Sequence, residues 1–150
     1  MVPIAAIGSQ PTVGRMETLA QVLTWEECLD RLRTGRVGRI AVTHRALPAI
    51  VPVNYVLSGS RIVFRTDSDG MLARACTDTV VAFEVDNIDP DGRCGWSVLV
   101  VGLSELLHGS AALRAAETGL AAAVGQGRDQ FVAITIGRLT GRVIDPHGAP

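Results

Sequence analysis

The sequence predicts an α+β protein built on a closed or nearly closed antiparallel barrel of six or seven strands, with two or three helices beside it. Three observations carry that reading. Apolar residues alternate at period two in one segment after another between Val37 and Ile144. Turn residues separate most of these segments, as in hairpins, whereas parallel strands need long crossovers. The stretches with a helical period are short and few, which argues against an alternating βαβ chain.

Residues 1–15, MVPIAAIGSQPTVGR, mix Pro, Gly and small residues without periodicity and read as a flexible N-terminal tail. Residues 16–150 read as a single domain, with Met16 an alternative start and no signal peptide ahead of it. Glu17–Leu23 is a short extended piece. Thr24-Trp25-Glu26-Glu27 is a capping box, in which Thr24 caps a helix and Glu27 reaches back to it. That helix runs to about Arg33 with Trp25, Cys28, Leu29 and Leu32 on its apolar side, and Gly35 ends it.

Three strands follow, at 37–44, 48–57 and 61–66. In the second, Val51, Val53, Tyr55 and Leu57 share one face and Pro52 and Asn54 the other. Ile50 and Val56 make that other face partly apolar, so cover on both sides is expected. Gly59-Ser60 suits a two-residue type II′ turn, because glycine takes the first position without strain. Ile62, Phe64 and Thr66 then alternate with Arg61, Val63 and Arg65. A short helix at about 69–76 precedes a strand at Val80–Asp86, and 87–95 (NIDPDGRCG) is a loop. Trp96–Leu107 is an almost wholly apolar strand that needs cover on both faces, by a barrel interior and by a second copy of the chain. Ser110 caps an expected helix over 111–124, in which Gly119 is a weak point, and Phe131–Ile144 forms the last strand.

With 47% hydrophobic and 19% charged residues, 150 residues make one domain with its own core and exclude disorder. A net charge of −1 argues against nucleic acid or an anionic membrane as partner, and no apolar run reaches the ~20 residues of a membrane helix. All 14 basic residues are arginine, so the usual ammonium ligand for phosphate is missing. Cys28, Cys76 and Cys94 are odd in number and widely spaced, which points to reduced thiols in a cytoplasmic protein.

Several tempting signals fail. Asn87-x-Asp89-x-Asp91-Gly92 copies the first half of an EF-hand loop, but Val98 stands where a bidentate glutamate is needed. His44, His108 and His147 have no metal spacing, and no phosphate-loop, dinucleotide or serine-elbow motif is present. No general acid or base stands out, so no catalytic residue is named. One constellation survives, around Thr66. Asp67 or Ser68 can cap the following helix and turn the amides of Asp69, Gly70 and Met71 toward one point. The hydroxyls of Thr66 and Ser68 and the guanidinium of Arg65 then complete a phosphate seat. The same residues also make an ordinary strand-to-helix turn, and residue types alone favour that plainer reading.

The order EECLDRL, VGRIAV, PAIVPVNYV, RIVFRT, a small helix, VVAFEVD and GWSVLVVG, from Glu26 to Leu106, resembles the flavin-binding split-barrel family that includes pyridoxamine phosphate oxidase. ITIGRLTGRVI is similar to that family's closing strand. The resemblance implies a six- to seven-stranded antiparallel split β-barrel with two or three flanking helices, and a homodimer that binds FMN between subunits and acts as an oxidoreductase on a small molecule. It implies that the Pro-Val-Asn-Tyr strand lines the flavin ring, that the Arg-Thr strand end holds the phosphate, and that the Gly-Trp-Ser strand adds contacts. The residues implicated are Val53, Asn54, Tyr55, Arg65, Thr66, Ser68, Trp96 and Ser97. Relatives usually carry lysine where Met71 stands, and often a basic residue where Val101 stands. A deazaflavin coenzyme, or a barrel that binds ligands without flavin, are therefore the alternatives to FMN.

Overall fold

The computed structural model describes residues 21–120 and 129–144. The expected tail, the far end of the expected 111–124 helix and its Gly-Gln-Gly break lie outside these residues. The chain runs β1 (Gln21–Val22), α1 (Trp25–Thr34), β2 (Val37–His44), β3 (Leu47–Ser58), β4 (Arg61–Asp67), α2 (Met71–Ala75), β5 (Thr79–Ile88), β6 (Gly95–Leu107), α3 (Gly109–Ala116) and β7 (Asp129–Ile144). Every strand pairing is antiparallel, in the order β1-β7-β4-β3-β2-β5-β6, and β6 returns to β7. Six strands thus close a barrel, with β1 as an extra strand along β7.

Closure depends on β7, whose first half pairs with β4 while its whole length pairs with β6. A register shift at Val101/Gly102 bends this long pair. Gly102 is needed there, because a Cβ would come within 2.0 Å of the Thr135 carbonyl oxygen. The interior holds Ile40, Val53, Tyr55, Ile62, Phe64, Phe83, Val98, Val100, Val132 and Ile134, the alternate residues of six strands. α1 packs over β7, β3 and β6 and buries Cys28 and Leu32. Its capping box is present, with the Thr24 amide donating to the Glu27 carboxylate at 2.7 Å.

Three expectations are corrected. Trp25 lies on the exposed side of α1 instead of its apolar stripe. α2 begins at Gly70, with no side-chain cap from Asp67 or Ser68, because Asp67 closes its own turn: its carboxylate accepts from the Asp69 amide at 3.0 Å. α3 starts at the His108 cap instead of Ser110 and ends at Ala116. The Thr118 hydroxyl takes the Ala115 carbonyl at 2.6 Å, and Gly119 turns left-handed at φ +68°.

α3 covers a second apolar cluster on the outside of the barrel, formed with Val63, Leu107, Leu120, Phe131 and Ala133. The outer face of β3, β2, β5 and β6 has no such cover. There Ile50 is 71% exposed, Val80 69% and Leu103 53%, so the second face of β3 expected to be covered stands open in one chain.

Candidate cofactor site

β3 turns the residues of the Pro-Val-Asn-Tyr segment in opposite directions. Val53 and Tyr55 point into the core. The Tyr55 hydroxyl donates to the Leu32 carbonyl at 2.7 Å, and its ring meets Phe83 edge-on at 5.0 Å. Burial pushes this phenol up to about 12. Tyr55 therefore fastens the end of α1 to the barrel, and it is the backbone of this segment, with Pro52 and Asn54, that faces outward.

β4 separates the two residues expected to hold phosphate together. Alternation places Arg65 on the outer, α3-covered face and Thr66 on the opposite one. Arg65 forms an ion pair with Asp129 and donates to the Leu120 carbonyl at 3.4 Å. Ser68 follows Thr66 beyond the strand end, and its hydroxyl is shut off from solvent with no hydrogen-bond partner. Two amides expected to face a phosphate are already engaged: Asp69 N–H by the Asp67 carboxylate, and Gly70 N–H by the Asp67 carbonyl at 3.0 Å. Met71 is half-buried and packs against the core.

At the start of β6, Trp96 lies under the Arg31 guanidinium, 5.3 Å from the ring centre. Ser97 points outward and pairs across the ladders with Asp86 and Arg142. Asn54 and Ser97 share the outer face but are separated by β2 and β5, roughly 14 Å at three strand spacings. One chain thus brings Thr66 and Ser68 together, leaves Asn54 and Ser97 far apart on one open face, and directs Arg65 elsewhere.

Between Asn54 and Ser97 stands a charged group that motif reading missed. Arg39 donates to Glu84 at 3.0 Å and to Asp86 at 3.1 Å. Burial, and then the Asp86 charge, hold the Glu84 carboxyl above its usual range. Alternation in VGRIAV and VVAFEVD signals these residues, since it turns all three outward. Val101 lies in the same face, paired with Arg138, so a cation stands beside the position where relatives often carry one.

The residues suit a flavin in part. An orphaned hydroxyl at Ser68 and an adjacent Thr66 offer donors to a phosphate or ribityl group, and the open face offers an apolar surface to a ring. Within the described part of one chain, no ion-paired or stacked arginine points to that seat, and Asp67 and Asp69 lie beside it.

A model of the pyridoxamine 5′-phosphate oxidase family matches residues 24–143. The FAD-binding protein of Mycobacterium smegmatis is 30% identical, with a TM-score of 0.69 over 83% of this chain and 97% of its own. A conserved protein of unknown function from Corynebacterium diphtheriae is 31% identical, with a TM-score of 0.69 over 83% and 98%. The uncharacterised protein Rv0080 of Mycobacterium tuberculosis is 39% identical over 84 residues, 53% of this chain, and the match spans about half (55%) of that protein's length. Sequence and barrel agree: the chain belongs to the pyridoxamine 5′-phosphate oxidase-like family of flavin-binding split barrels.

Proposed function

We propose that the protein works as a homodimer that holds a flavin, FMN in the first instance, between its two chains and acts as an oxidoreductase on a small molecule. The observation that carries this reading is the buried, unpartnered hydroxyl of Ser68 beside Thr66, in a chain whose family is built to hold flavin. A similar protein from M. smegmatis binds FAD, which supports a flavin more broadly than FMN alone. When bound, the flavin ring supplies the redox chemistry, and the chain orients it and screens it from water. A second chain laid on the open face covers Ile50, Val80, Leu99 and Leu103 and brings its own donors to the half-site. Free thiols at Cys28, Cys76 and Cys94 support work in the cytoplasm, and among the described residues no helix is long and apolar enough to cross a membrane.

Met71, Asp67 and Asp69 favour a second reading, a barrel that binds small molecules and has given up flavin. Titration with FMN, riboflavin and a deazaflavin separates the two. Met71→Lys is expected to tighten FMN about ten- to a hundredfold and leave riboflavin almost unchanged. Equal gains for both ligands would assign the lysine to packing. No binding of any flavin by wild type or variant leaves the flavin-free reading.

A further inference from the structure

α3 does not lie flush on the barrel. Between it and the outer face of β4 is a cleft of about 140 Å³, the volume of four or five waters at roughly 30 Å³ each. Its walls carry two guanidinium groups, Arg61 from β4 and Arg114 from α3, with the hydroxyls of Ser58 and Thr118. Its floor is apolar, made by Val63, Leu107 and Ala111.

The charges do not cancel. Arg61 is paired with Glu105, and one Nε–H of Arg61 is buried without an acceptor. Among the described residues, Arg114 has no acidic partner within ion-pair distance. The cleft therefore keeps one positive charge and a surplus of N–H donors above a greasy floor. A planar carboxylate fits such donors two at a time, and a tail of a few carbons fits the floor. Inorganic phosphate satisfies the donors but leaves the floor bare, and a neutral alcohol does the reverse.

We propose that this cleft is a second binding site, selective for small carboxylates with a short apolar tail. It lies on the face of β4 opposite to Thr66, so it is separate from the flavin seat and does not depend on flavin being bound.

Butyrate, butanol and inorganic phosphate, titrated into the full-length protein by calorimetry and ligand-observed NMR, test it. Butyrate is expected to bind at least tenfold more tightly than either of the others. Arg114→Gln should weaken butyrate by about tenfold or more, the loss of one charge-assisted contact. Glu105→Gln should tighten it, because Arg61 is then released to the ligand, by about three- to tenfold at this partly exposed pair. Ala111→Leu should block binding by filling the floor, and Arg33→Gln on the far side should change nothing. The opposite signs at Arg114 and Glu105 keep the test independent of folding, which thermal melts of each variant check. Butyrate binding that fails, that matches phosphate, or that is indifferent to both substitutions overturns the proposal.

Discussion

The barrel has two outer faces made by the same alternation, and they are finished differently. Over β4, β6 and β7 the chain supplies its own lid: α3 covers Val63, Phe131 and Ala133, and ion pairs Arg61–Glu105 and Arg65–Asp129 stand at its margins. Over β3, β2, β5 and β6, residues of the same apolar type stand in solvent around the Arg39–Glu84–Asp86 group. Local pattern sets which way a side chain points, but cover is a property of what arrives afterward, from elsewhere in the chain or from another copy. The charged residues differ too. On the covered face each acid neutralises one arginine at the rim, whereas on the open face one arginine serves two acids.

The sharpest way to test this contrast is to remove an apolar side chain from each environment. Phe64→Ala empties a fully buried site and should cost about 3–5 kcal/mol of stability in denaturant melts. Ile50→Ser, on the open face, should change the stability of a single chain by no more than about 0.5 kcal/mol. Combined with Leu103→Ser, it should raise the dimer dissociation constant by about ten- to a hundredfold in sedimentation experiments. A large stability loss from Ile50→Ser without any change of assembly would break the comparison.

That contrast also separates what the sequence disclosed from what it did not. β2 was legible to the residue, and β3, β4 and β6 to within one, because period-two alternation and turn residues are local signals. β5 and β7 ran two residues further at one end, where pairing rather than pattern decides the end of a strand. The site was less legible. Arg65 and Thr66 are neighbours in sequence and natural partners for phosphate, yet strand geometry turns them apart. Asp67 looked like a helix cap and instead consumes the amide it was expected to present. Tyr55 looked like a ligand contact, and its hydroxyl is held by Leu32 on a helix more than twenty residues earlier. Each of these depends on a third element that residue types in one window do not reveal.

The interior carries ionisable groups as well, and they make the core sensitive to alkali in a way neither outer face is. Burial raises Cys76 from 9.0 to about 11 and Tyr55 from 10.0 to about 12. In the unfolded chain these groups lose their protons first, so the folded state binds more protons across the window. Stability is therefore full below about pH 9 and falls as pH rises toward 11. One such group accounts for roughly 2–3 kcal/mol over two pH units. Urea melts from pH 8 to 11 should show the decline, and Cys76→Ala should flatten its lower part. An unchanged slope in that variant would assign the decline to Tyr55, whose ionisation removes the donor to Leu32.

The smallest effect concerns the hairpin that holds the open face together. β2 and β3 join through Arg45-Ala46, and both residues are left-handed, at φ +51° and +61°. Two positive φ angles in a two-residue loop are the mark of a type I′ turn, a position that asparagine and glycine occupy without the Cβ clash these residues suffer. The next hairpin, β3–β4, solves the same problem with Gly59 at φ +60°, in open space. The two turns therefore make a matched pair with opposite expected signs. Replacing Arg45-Ala46 by Asn-Gly should stabilise the chain by about 1 kcal/mol, since relief of strain is partly offset by the greater freedom of glycine in the unfolded chain. Gly59→Ala should destabilise it by about 1–2 kcal/mol through backbone strain alone, because nothing lies near the added methyl group. If the Asn-Gly variant were no more stable while Gly59→Ala lost its full amount, the strain at Arg45-Ala46 would be offset by contacts of those two side chains. The natural place for such contacts is a second chain on the open face. Repeating the melt at protein concentrations above and below dimer dissociation would then decide between an intrinsic turn penalty and an interface that depends on these residues.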